Sequence, residues 1–186
     1  LATALLAAGL GRLRVEVDPD RNLPQDHPWI AALNEMHRTF GDKNLVVIGL
    51  FPDDGDPFTP AFLARVRRIT DGIAAIPGVV RPLLHSIASP AMKDVRASGD
   101  GIVVRPIMAD PPRDAAAAEA VRERVRANPD LAGTMLSNDG RALAIDATFE
   151  LGPELPAYED LHRAVLDMLR ANDDGSFRWA LSGPVV

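Results

Sequence analysis

Leu45-Val46-Val47-Ile48-Gly49-Leu50-Phe51 is an unbroken apolar run of strand length. It predicts a strand buried on both faces, because a strand with one wet face alternates apolar and polar residues instead. Pro52-Asp53-Asp54-Gly55-Asp56-Pro57 ends it with turn-forming residues. Thr59-Pro60 then reads as a helix start. A threonine hydroxyl can accept from a free first-turn amide, and proline at the first position has no amide to satisfy. Phe62, Val66, Ile69, Ile73 and Ile76 recur at three- and four-residue spacings, one face of a helix. Pro77-Gly78 stops it, and Val79 to Leu84 reads as a second strand, completing a strand–helix–strand unit.

Residues 86–100 look irregular. Ile102 to Met108 predicts a strand in which Pro106 lacks a ladder donor, so that strand should be an edge or carry a bulge. A helix is expected from about Arg113 to Ala127, closed by Asn128-Pro129. Asp139-Gly140 between Thr134–Asn138 and Arg141–Leu151 predicts a hairpin. In its second arm Leu143, Ile145, Ala147, Phe149 and Leu151 alternate with Asp146, Thr148 and Glu150, so one face is buried. Tyr158, Leu161, Val165 and Met168 mark a last helix, and Phe177, Trp179 and Leu181 a last strand. Upstream, the prolines of residues 13–28 favour an extended path. Trp29, Leu33, Met36 and Phe40 then form a helical stripe that should end at Gly41. The expected class is α+β: βαβ elements with a ferredoxin-like split-βαβ sandwich, preceded by an N-terminal helical segment.

The chain has 186 residues, 47% hydrophobic and 25% charged, which excludes collagen-like, coiled-coil and disordered chains. Lys and Arg number 20 against 26 Asp and Glu, and that acidic balance argues against a general nucleic-acid binder. Without cysteine there is no disulfide, thiolate metal site or thiol nucleophile. Leu1 to Leu10 is apolar but too short to span a bilayer, which takes about 20 residues. Residues 1–12 therefore read as a short helix or the end of a membrane helix. Ser182-Gly183-Pro184-Val185-Val186 ends on an apolar pair, so the chain reads as a piece of something larger.

Chemistry is sparse. The histidines at 27, 37, 85 and 162 show no zinc spacing, and no phosphate-binding glycine motif occurs. Ser86, Ser89 and Ser137 lack a nucleophile elbow. Asp53, Asp54 and Asp56 fit a solvated turn better than a calcium loop. Arg65, Arg67 and Arg68 could meet an anion or lipid headgroup, although a solvated helix face is the simpler reading. Phe51, Phe58, Phe62, Met92, Met108 and Met135 are the candidates for an adaptable apolar pocket, with plain core as the alternative. No catalytic residue, metal or cofactor is expected, and the chain is not read as an enzyme.

Val17-Asp18-Pro19-Asp20-Arg21-Asn22-Leu23-Pro24-Gln25-Asp26-His27-Pro28 resembles the leading segment of the resistance–nodulation–division (RND) superfamily, in its hydrophobe-exporter, MmpL-like branch. Phe40-Gly41, the strand Leu45–Leu50, Phe58-Thr59-Pro60 and Ile76-Pro77-Gly78-Val79 follow in that family's order. Ser86-Ile87-Ala88-Ser89, Asn128-Pro129-Asp130-Leu131-Ala132-Gly133 and Ser137-Asn138-Asp139-Gly140 continue it. The likeness covers about residues 13–150. It implies a periplasmic porter-type domain over 13–182, with subdomains near 13–100 and 101–182, and 183–186 approaching the next membrane helix. It further implies an inner-membrane, proton-driven transporter of hydrophobic lipids such as sterols or hopanoids. The implied partners are the lipid, the membrane through flanking helices and a periplasmic carrier protein. The cleft between the two parts is then the expected substrate site. The alternative is a docking module of such a transporter that never touches substrate.

Overall fold

The computed structural model describes residues 23–24, 26–40, 44–99, 101–150 and 158–183. Residues 1–12, most of the leading segment, the helix stop at Gly41 and residues 184–186 lie outside the described residues. The chain divides into two compact units, Leu1–Gly41 and Asp42–Val186. In the first, Pro28–Phe40 forms helix α1, with Trp29 and Met36 exposed and Leu33 half-buried.

The second unit is built on β1 (Leu45–Pro52), the predicted apolar run. β1 is buried on one face and not on both as that run predicts: its burial alternates, because helices cover only one side of the sheet. It is the central strand of an antiparallel sheet ordered β4-β1-β5, with β4 at Leu143–Thr148 and β5 at Phe177–Ser182. Ile48 lies opposite Ile145 on one side and Leu181 on the other. Val46, Ile48 and Leu50 point into one core with Ile145 and Phe177. Helices α2 (Pro60–Ala74) and α4 (Tyr158–Ala171) cover that face through Phe62, Val66, Ile69, Leu161, Val165 and Leu169. The rings of Phe62 and Phe177 meet edge-on, 6.1 Å apart. A β-carbon on Gly72 would stand 2.8 Å from Met168 Cγ, so glycine is what lets α2 approach α4 this closely. Helix α2 starts as the sequence predicts, with Thr59 Oγ1 accepting from the Phe62 amide at 3.2 Å.

The predicted strand Val79–Leu84 is a correction. Arg81–Leu83 is a short 3₁₀ turn, closed by the Leu83 amide on Val80 O at 2.8 Å. Pro82 has no amide to add to a ladder. Two isolated bridges remain, Val79 to Phe149 and His85 to Asp146, which hold residues 79–85 along the outer edge of β4. The spatial order is then edge segment, β4, β1, β5. That is the order of a split-βαβ, ferredoxin-like sandwich, run through β1, α2, the edge segment, β4, α4 and β5. The class is α+β as expected, and the sandwich takes β1 as its first strand.

Residues 86–142 are an insertion between the edge segment and β4. They hold a two-stranded ribbon, β2 (Lys93–Ser98) and β3 (Gly101–Pro106), and helix α3 (Ala115–Arg126), capped by Asp114. β3 is an edge strand that ends on Pro106, as the proline requires. β2 falls in the stretch read as irregular. The first arm of the predicted hairpin, Thr134–Asn138, also fails to form a strand. Leu136 makes only single bridges to Ala132 and Leu143, and Gly133 takes φ 86°. The Asp139-Gly140 turn does form, with Gly140 at φ 72°. The division expected near residue 100 falls inside the compact unit. Ile48→Ala should lower unfolding stability by about 2–5 kcal/mol in urea titrations, because Ile48 is wholly buried at the centre of the sheet. A loss below about 1 kcal/mol would contradict its central place.

Candidate functional site: the open face of the sheet

Strand alternation turns the other half of each strand away from the helices. On β1 these residues are Leu45, Val47, Gly49 and Phe51, all half-buried. The register sets Val47 between Asp146 and Ser182, Gly49 between Ala144 and Ala180, and Phe51 beside Arg178. The row Ala144-Gly49-Ala180 carries only small side chains, so it forms a shallow trough about 10 Å across three strands. The Phe51 ring lies in it: a β-carbon on Gly49 would stand 2.9 Å from Phe51 Cε2.

Polar groups rim this floor. His85 and Asp146 exchange backbone hydrogen bonds of 2.8 and 2.9 Å, which fixes them as a cross-strand pair on the same face. Burial pushes the Asp146 carboxyl above the ordinary carboxylate range, opposed by the nearby His85. Arg178 is exposed at the opposite corner. An apolar floor with a weak acid and imidazole at one rim and a guanidinium at the other suits an amphipathic molecule with an apolar body.

Of the six residues predicted to line a pocket, only Phe51 lies on this face. Phe58, Phe62, Met108 and Met135 are fully buried in the core, and Met92 packs against it. They do not line the expected cleft, because β1 from the first part is hydrogen-bonded between two strands of the second. A concavity of about 270 Å³ does occur at the 132–140 loop, with mixed walls of Arg126, Ala132, Leu136, Ser137, Asn138 and Asp139, and none of the six reaches it. At that size it falls below the usual range for small-molecule sites.

The remaining candidates have structural work. Arg65 is buried, bonds Asp174 and Ser176, and stacks on the Phe177 ring at 4.9 Å, which ties α2 to the start of β5. Arg67 pairs with Asp71 and donates to Ala109 O at 2.8 Å, while Arg68 is exposed. Asp56 caps the Phe58 amide and receives Arg122 at 2.8 Å, so the acidic turn after β1 is a docking point for α3 and its carboxyl stays low despite the cost of burial. The Ser86 hydroxyl shares a hydrogen bond with Thr70 at 2.8 Å, and Ser137 donates to Asp139 at 2.6 Å. Among the described residues, no group of three or more His, Asp or Glu is gathered to hold a metal.

Sequence reading missed Gly49, Ala144, Asp146 and Ala180 as a set. Each is ordinary alone, and only the register brings them into adjacent rows. No family model matches this chain, and no curated protein matches it.

Two carboxylates predict opposite pH behaviour. Asp146 titrates above its unfolded value, so its ionisation disfavours the folded state as pH rises through the folded pKa. Asp146→Asn should therefore raise stability near neutral pH, and the gain should vanish below about pH 3.9. Asp94 is also penalised by burial, but hydrogen bonds from Arg96 and Arg105 outweigh this and hold it low. Asp94→Asn should cost about 1.5–3 kcal/mol near neutral pH. That cost should fade as pH falls from about 3.9 through the lower folded value. Urea titrations across that range check both signs.

Proposed function

We propose that this chain is a substrate-handling domain of an RND-type transporter of hydrophobic lipids, facing the periplasm at the inner membrane. The observation that carries the reading is the open sheet face, with Phe51 lying over a row of small residues beside the Asp146–His85 rim. A flat, rigid lipid of the sterol or hopanoid kind lays its ring system against the Phe51 ring and the small Ala144 and Ala180 beside it. Its hydroxyl then meets Asp146 and His85, which between them offer a hydrogen-bond acceptor and donor. The order of the RND-like segments along the chain supports the same assignment.

The role is to hold and orient a lipid, not to drive its movement. Among the described residues, no helix is long and apolar enough to cross a membrane. In this reading proton-coupled motion belongs to other parts of such a transporter, and the domain contributes selectivity and passage.

The test is lipid capture. The purified chain is incubated with a total lipid extract containing sterols and hopanoids, repurified, and its bound lipid identified by mass spectrometry. The wild-type chain should retain a polycyclic lipid. Phe51→Ala and Ala180→Arg should each reduce retention about tenfold, since one removes an aromatic contact and the other fills the trough. Retention no greater than that of a control protein, or retention unaffected by both substitutions, would overturn the assignment.

A further inference from the structure

The β2–β3 ribbon is hydrogen-bonded to no third strand among the described residues. Its register sets Val95 opposite Val104 and Ala97 opposite Ile102 on one face, with Asp94 opposite Arg105 and Arg96 opposite Val103 on the other. Its polarity is inverted. Ile102, Val95 and Val104 are 73%, 60% and 59% exposed, while the carboxylate of the pair, Asp94, is only 4% exposed. A solvent-facing aliphatic ribbon face is what soluble proteins avoid unless something covers it.

The charge behind that face is weighted to cations. Asp94 is neutralised by Arg96 at 2.9 Å and Arg105 at 3.0 Å, yet both arginines keep nearly half of their side chains exposed. Arg124 of α3 is held beside them by its bond to Ile107 O at 2.8 Å. Loss of water and the neighbouring Arg105 and Arg96 lower its pKa. Lys93 is exposed at the ribbon base. Arg96, Arg105 and Arg124 thus outnumber Asp94 and Glu123 behind the aliphatic face, with Lys93 on the aliphatic side itself, in a chain whose net charge is −6.

We propose that this ribbon docks on an anionic phospholipid bilayer. The aliphatic face sits at the boundary of acyl chains and headgroups, where interfacial elements sink by about 5–10 Å, and the guanidiniums on the reverse face then lie level with the phosphates. A second copy fits less well. Four aliphatic side chains offer far less than the roughly 800 Å² per partner of a stable interface, and pairing two ribbons would bring two cationic groups together. This docking uses no residue of the open sheet face.

Co-sedimentation of the full chain with vesicles tests it. Vesicles of equal parts phosphatidylglycerol and phosphatidylcholine should carry the chain down, and phosphatidylcholine alone should not. High salt should weaken the binding, as expected for screened charges. The double variant Ile102→Ser, Val104→Ser should bind about tenfold less with an unchanged thermal melt, because both residues are exposed. Phe51→Ala should bind vesicles like the wild type, which separates this docking from lipid capture at the sheet. Wild-type chain left in the supernatant with both vesicle types would overturn the proposal, as would double-variant binding equal to wild type. A wild-type dimer that the double variant converts to monomer would overturn it in favour of a second copy.

Discussion

The position of β1 between β4 and β5 is the constraint on which the rest of the unit depends. A strand made almost wholly of aliphatic residues cannot sit at an edge without exposing them, so it takes the centre. Both neighbours run antiparallel to it, so β4 and β5 are parallel to each other, as β1 is to the edge segment. Parallel strands need a crossover: α2 carries the chain from β1 to the edge segment and α4 from β4 to β5. The helices seal one face. Val46, Ile48 and Leu50 each gain about 1.5–3 kcal/mol from burial there, before conformational entropy is set against it. The opposite face is left half-buried, and that is where the small-residue row and its polar rim lie.

Arginine does much of the fastening. Arg65 ties α2 to the approach of β5, Arg122 ties α3 to the turn after β1, and Arg124 ties α3 to the end of β3. Planar guanidiniums suit such positions because one group can hold an oxygen and cover an aromatic ring at once, as Arg65 does on Phe177 and Arg122 on Phe58. With these ties the 86–142 insertion is anchored at several points. Its ribbon can then present an apolar face outward without relying on that face for its own stability.

Much of this architecture was legible from local chemistry. The β1 run, the Thr59-Pro60 helix start, the Asp139-Gly140 turn and the last helix and strand all follow from short-range signals. What escaped was set by partners distant in sequence. Lys93–Ser98 has only Val95 and Ala97 as apolar residues, and it is a strand because β3 pairs with it. Val79–Leu84 has a strand-like composition, yet Pro82 and the Val80–Leu83 turn keep it out of the ladder. The aromatic and methionine set failed as pocket residues for a simpler reason. Large apolar side chains are what a core needs, and composition alone cannot separate a wall from a filling. The open face, by contrast, is marked by small residues, whose meaning appears only with the register.

Amide-resolved NMR during titration with a polycyclic lipid alcohol addresses the central claim most directly. A ligand on the open face should shift Val47, Gly49, Phe51, Ala144, Asp146 and Ala180 together, and leave α2 and α4 nearly unmoved. Shifts confined to the helices, or spread without regard to strand alternation, would contradict the assignment of that face.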